Sequence, residues 1–194
     1  SGALTSSGAY VFTGGNLLLT NTSSADGAIN RISDTAPITS NGGTLTVNNT
    51  DATGLYAETV GSGTLAGGQF NVHLGTTMST GPTSIGTQTL TFSGLTRAAT
   101  ASGSTATITF SNNGFDPDTT RNRIVVNGSP TLVSGSFFGP WATVGTAAGT
   151  PTDYAVSAGG TVAAWGNTTP VDFNTWNSGT FYVVNSSTTI SANV

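Results

Sequence analysis

The chain has 194 residues with no lysine, no cysteine, one histidine and four arginines against eight acids, for a net charge of −4. This set excludes disulfides, thiolate metal centres, lysine-dependent phosphate loops and a basic face for nucleic acid. A hydrophobic content of 36% with so small a net charge belongs to a chain that folds, although its 27 glycines make ordering costly. No apolar run approaches the ~20 residues that span a bilayer as a helix, so no membrane span is expected. No basic stretch followed by an apolar one opens the chain, and the start at Ser1 reads as a processed terminus or an excised segment.

In chain order, short β-prone runs dominate. They begin with Tyr10-Val11-Phe12-Thr13, Leu17-Leu18-Leu19-Thr20, Thr44-Leu45-Thr46-Val47 and Gln69-Phe70-Asn71-Val72-His73-Leu74. Thr89-Leu90-Thr91-Phe92, Thr105 to Phe110, Arg123-Ile124-Val125-Val126 and Phe181-Tyr182-Val183-Val184 follow. Most are bounded by Gly-Gly, Asn-Gly, Ser-Gly or Asn-Asn, which are turn chemistries. Helix is expected at most as one turn near Ala142 to Ala148.

Gly43 to Val47, Gly63 to Gly68 and Gln88 to Phe92 nearly repeat one another at intervals of about 20 to 27 residues, a plausible three-strand turn. The fold expected is all-β, a right-handed parallel β-helix with an irregular lateral lobe in the second half. A β-sandwich or jelly roll is the competing architecture. Leu18, Ile32, Leu45, Leu55, Leu65, Phe70, Val72, Leu90 and Phe92 are expected to point inward, with threonines on the alternate outward positions. Residues 1–194 read as a single module, with 111–180 less regular and the aromatics of Phe137 to Trp165 forming a lobe on the side of the coil.

Several stretches resemble the autotransporter-associated β-strand repeat proteins, long bacterial surface or secreted proteins. They are Asn30 to Asp34, Ala36-Pro37-Ile38, Gly42 to Thr46, Tyr56 to Gly61, Leu90 to Arg97, Ala106 to Phe110, Gly139 to Gly145, Asp153-Tyr154-Ala155 and Ala163-Ala164-Trp165. The likeness covers about residues 15 to 170. It implies a β-helical passenger that is displayed or secreted and is not a catalyst. Members of that family are usually thousands of residues long and carry a translocating barrel, which this sequence does not contain.

Candidate sites are few. His73 stands alone, without the second imidazole or thiolate that zinc or copper requires. Asp116 and Asp118, around Pro117, offer oxygen ligands for calcium, but Arg121 and Arg123 follow closely. Arg31 with Asp34, and Glu58 with Arg97, read as charge pairs or hydrogen-bonded brackets. Trp141, Trp165 and Trp176 compose either a sugar-stacking platform or the plug of a small hydrophobic lobe. Rows of outward threonine also admit an ice-binding array. Five Asn-x-Ser/Thr sequons occur, as chance supplies in a chain this rich in those residues.

The function expected is non-enzymatic: an extracellular building block of a surface fibre, filament, sheath or adhesin, needing no cofactor. Uncapped β ends, with Tyr10, Val11 and Phe12 at one and Phe181, Tyr182, Val183 and Ile190 at the other, invite head-to-tail stacking of copies. Extracellular polysaccharide is a second candidate partner, either bound by the tryptophans or, more remotely, degraded by an enzyme.

Overall fold

A computed structural model describes residues 6–21, 31–49, 54–76, 78, 80–81, 84–98, 105–113, 120–128, 130, 132 and 135–166. Its regular structure is all strand. In chain order the strands are β1 (Tyr10–Phe12), β2 (Asn16–Asn21), β3 (Ile38–Ser40), β4 (Gly43–Asn49), β5 (Leu55–Val60), β6 (Gly63–Leu65), β7 (Gln69–Leu74) and β8 (Thr80–Gly81). They continue with β9 (Ser84–Ile85), β10 (Thr87–Phe92), β11 (Leu95–Arg97), β12 (Thr107–Asn112), β13 (Asn122–Val126), β14 (Ala142–Ala147), β15 (Thr150–Ala158) and β16 (Thr161–Ala164).

These strands build three parallel ladders. One runs β1-β3-β6-β11; a second runs β2-β4-β7-β12-β14; a third runs β5-β10-β13. Successive strands of the chain fall in different ladders, so parallel partners lie 25 to 38 residues apart: Asn21 lies opposite Asn49, 28 positions on. The second and third ladders join through antiparallel β15 and β16 into one curled, mixed ten-stranded sheet. A hairpin-connected sandwich requires antiparallel neighbours where these ladders have parallel ones.

Alternation explains the core. In the second ladder Leu17, Leu45, Val72, Phe110 and Val144 share one inward column. In the third, Val60, Phe92 and Val126 share another. Such columns bury apolar side chains while adjacent strands satisfy the backbone, which is the main gain available to so glycine-rich a chain. Where the chain turns from the first ladder into the second, the turns stack so closely that a Cβ on Gly68 would lie 2.6 Å from the Asn41 carbonyl oxygen. Gly68 also has φ of 58°, so only glycine fits there without strain.

Three expectations need correction, and others fall where the structure describes nothing. Leu18 and Leu55 face outward, because the inward parity of β2 belongs to Leu17 and Leu19 and that of β5 to Tyr56, Glu58 and Val60. The segment near Ala142 is β14 rather than a helical turn, since it continues the ladder from β12. The aromatic segment's strands do not sit beside the ladders: β15 and β16 lie across the far ends of two of them. The Asp116-Pro117-Asp118 turn, Trp176 and the run from Phe181 to Ile190 lie outside the described residues.

Candidate functional site

The near end of the ladders, where β1 and β2 are the outermost strands, carries a distinctive side-chain pattern. On the outer face of the first ladder Val11 aligns with Thr39, and that column continues through Thr64 and Thr96. In the second ladder Leu18 aligns with Thr46, followed by His73 and Ser111. In the third, Leu55 aligns with Thr87. Val11, Leu18 and Leu55 are 62%, 51% and 65% exposed and are the exposed large hydrophobics of the described residues. Three outer columns thus change from hydroxyl to hydrocarbon at their outermost strand. The corner between β1 and β2 forms a groove of about 310 Å³ lined by Tyr10, Val11, Phe12, Gly14, Gly15, Asn16 and Leu17.

Of the expected assembly residues at this end, only Val11 presents its side chain outward. Phe12 is buried and meets Phe70 edge-on, with ring centroids 5.1 Å apart, while Tyr10 packs against the core. The far end differs. β15 pairs along β14 and β16 meets β13 at Val125, and among the described residues the three-residue β11 is the last strand of its ladder.

Buried amides line the passage from the second ladder to the third. Asn21 Nδ2 donates to Asn49 Oδ1 at 2.5 Å, and Asn49 Nδ2 donates to Gln88 Oε1 at 2.8 Å. Gln88 Nε2 donates to Asn122 Oδ1 at 3.0 Å and also reaches the Thr76 carbonyl and Asn112 Oδ1. Arg31 Nε extends the row at its near end, donating to Asn21 Oδ1 at 3.1 Å. Each amide spans a strand spacing, so one side chain's donor meets the next one's acceptor, and most of the polar cost of burial is met within the row. Sequence reasoning missed this row. The available signal was an Asn or Gln at the end or start of successive β runs: Asn21, Asn49 and Asn112 on one side, Gln88 and Asn122 on the other.

Glu58, 4% exposed, is a bracket. Its Oε2 accepts the Arg31 N–H at 3.0 Å and its Oε1 accepts the Ile32 N–H at 2.9 Å. Burial pushes its pKa up to about 7; the two backbone N–H groups oppose that, Asp34 adds to it and Arg31 reduces it. The expected Glu58–Arg97 pair does not form. Arg97 instead donates from Nε to the Ala106 carbonyl at 2.8 Å and lies over the Trp141 ring at 5.8 Å. Arg31 turns its Nε to Asn21 rather than pairing with Asp34.

His73 is half-buried on the outer face, with Nδ1 2.9 Å from Ser111 Oγ, and burial holds its pKa below the usual imidazole range. Among the described residues no group of three His, Cys, Asp or Glu is placed to hold a metal ion, and no helix is long and apolar enough to cross a membrane.

Trp141 and Trp165 belong to different ring clusters. Trp141 meets Phe138, which meets Phe110 of the core. Trp165, Tyr154 and Phe137 pack on one another, with centroids 5.7 to 6.5 Å apart. A nearby groove of about 250 Å³ is lined by Thr143, Pro151, Thr152, Asp153 and Tyr154. Its polar groups serve the fold: the Asp153 oxygens accept the Tyr154 and Gly166 N–H groups, and the Thr143 and Thr152 hydroxyls donate to backbone carbonyls.

No family model, curated protein or solved structure matches this chain.

Proposed function

We propose that this chain is a non-enzymatic structural module of the cell exterior, wound as a right-handed parallel β-helix, that associates with copies of itself through its β1–β2 edge. The observation that carries the reading is the exchange of threonine for Val11, Leu18 and Leu55 on the outermost strands. A strand edge bordered by hydrocarbon, with no lysine, proline or charged residue within β1 or β2, is a template for another β layer. The resemblance to autotransporter-associated repeat proteins supports the same assignment through its motifs, as does a composition poor in charge and rich in hydroxyls.

A non-catalytic role fits the placement of the titratable groups. Glu58 is committed to two backbone N–H groups and His73 to a serine hydroxyl. Carbohydrate binding is the weaker alternative, because Trp141 and Trp165 pack into separate clusters.

Light scattering over a hundredfold range of protein concentration tests the proposal. The expected result is a mass that rises with concentration in the native chain and remains monomeric in Leu18→Glu. A native chain that stays monomeric throughout would remove the reading.

A further inference from the structure

We infer that the β1–β2 edge forms a two-fold contact, near end against near end, in which β2 of one copy pairs antiparallel with β2 of a second. The inference rests on the self-association proposed above and gives it a geometry and a closed stoichiometry.

Edge availability decides the direction. At the far end, among the described residues, β15 pairs along β14 and β16 meets β13 at Val125, and no large hydrophobic side chain is exposed there. Among the described residues, a near end approaching a far end would meet the three-residue β11 and the part of β13 before Val125, with no exposed large hydrophobic to match its own. The near end, by contrast, presents six residues of β2 and three of β1 as the outermost strands among the described residues, with Val11 and Leu18 exposed on them. A two-fold axis at Leu18 of β2 lets this edge satisfy itself, since antiparallel neighbours exchange N–H and C=O groups symmetrically.

Charge permits the contact. Neither β1 (Tyr-Val-Phe) nor β2 (Asn-Leu-Leu-Leu-Thr-Asn) has an ionisable group charged at neutral pH, so the symmetry places no like charges opposite one another. Apolar surface favours it as well. Leu18, the central outward residue of β2, comes opposite the same residue of the second copy, at the cross-strand Cβ distance of about 4.5–5.5 Å. The groove beside β1 and the exposed Val11 continue the apolar surface along the same edge. Because this contact uses one surface twice, it closes at two copies and does not propagate.

The chain has no cysteine, so Leu18→Cys introduces a single thiol, and paired antiparallel Cα atoms lie within disulfide range. Oxidation of the dilute variant is expected to give a disulfide-linked species of twice the chain mass. Thr96→Cys, on β11 in the ladder's far strand, is the control and is expected to give none. The native chain is expected to stop at a dimer in light scattering. Leu18→Glu is expected to be monomeric while keeping the native circular dichroism spectrum. Open-ended polymers, or a dimer that Leu18→Cys does not cross-link, would overturn the two-fold geometry and leave self-association standing. A native monomer at every concentration would overturn both.

Discussion

Asn49 Nδ2 donates to Gln88 Oε1 across 2.8 Å, and with the bond from Gln88 Nε2 to Asn112 Oδ1 it joins the second ladder to the third through the interior. Both side chains are buried, and each also bonds a further amide, so neither can be shortened without stranding a polar partner.

Truncating either amide should therefore cost more than a surface hydrogen bond. Gln88→Ala is expected to destabilise the fold by about 1–3 kcal/mol, the range for a buried polar group left unpaired. Asn49→Ala should cost a similar amount, and the double variant less than the sum, because the two side chains share a partner set. Urea unfolding of the three variants measures both the losses and the coupling.

Glu58 gives stability an unusual pH slope. Its folded pKa of about 7 lies above the ordinary value of 4.5, so the folded chain holds a proton that the unfolded chain releases between these limits. Stability from this group is thus greatest below pH 4.5 and falls as pH rises towards 7, at about 1.4 kcal/mol per pH unit at most, for a loss on the order of 3 kcal/mol. His73 has the opposite sign: its lowered pKa means that stability falls as pH drops below 6.5. Thermal melts from pH 4 to 8 should show the two slopes opposing in the native chain. Glu58→Gln should leave only the histidine slope.

Close backbone approach sets a third expectation. A Cβ on Gly61 would collide with the Ala36 carbonyl, whose oxygen accepts the Gly61 N–H at 3.1 Å. Gly61→Ala should therefore push residues 31–36 away from β5 and cost about 2 kcal/mol or more. Gly14→Ala meets nothing within 4 Å and should cost only about 1 kcal/mol for its positive φ. Chemical denaturation of the pair separates collision from backbone strain.

The aromatic clusters predict a structural phenotype. Arg97→Ala removes the bond to the Ala106 carbonyl and the cation over Trp141, and should lower stability by about 1–2 kcal/mol. Trp165→Ala opens the cluster with Phe137 and Tyr154 and should destabilise the chain by up to about 3–5 kcal/mol. Titration calorimetry of the native chain against soluble polysaccharides should show no saturable heat. Saturable heat lost in Trp165→Ala would favour the sugar-binding alternative instead.

Much of the strand content was legible because hydrophobic and hydroxyl residues alternate between glycine turns, as in Gly43 to Val47 and Gln88 to Phe92. The expected interval of about 20 to 27 residues did not match the register: Gly43 to Val47, Gly63 to Leu65 and Gln88 to Phe92 lie in three different ladders, and paired strands are 25 to 38 residues apart, with Leu17 over Leu45 at 28. Parity failed where alternation was absent. Leu17-Leu18-Leu19 gives no polar residue to mark the outward position, and Leu55 begins β5 with the opposite parity from its inward Tyr56, Glu58 and Val60. The amide row was hidden because asparagine at the end of a β run reads equally well as a turn; only the register reveals that Asn21 and Asn49 face each other indoors. The bracket at Glu58 was named as an alternative, but its partners are backbone N–H groups, which no residue type announces. The closing strands β15 and β16 escaped notice because their parallel predecessors carry the repeating motifs and they do not.

The β15–β16 hairpin also bears on the order of assembly during synthesis. Each parallel strand needs only its predecessor some thirty positions earlier, so the tiers can be laid down as the chain emerges. The hairpin, however, meets β14 on one side and β13 on the other, and among the described residues before 150 no strand substitutes for it. A nascent chain stopped short of that point would expose two raw margins at once, so this late-made clasp sets the moment at which the molecule becomes safe from its neighbours.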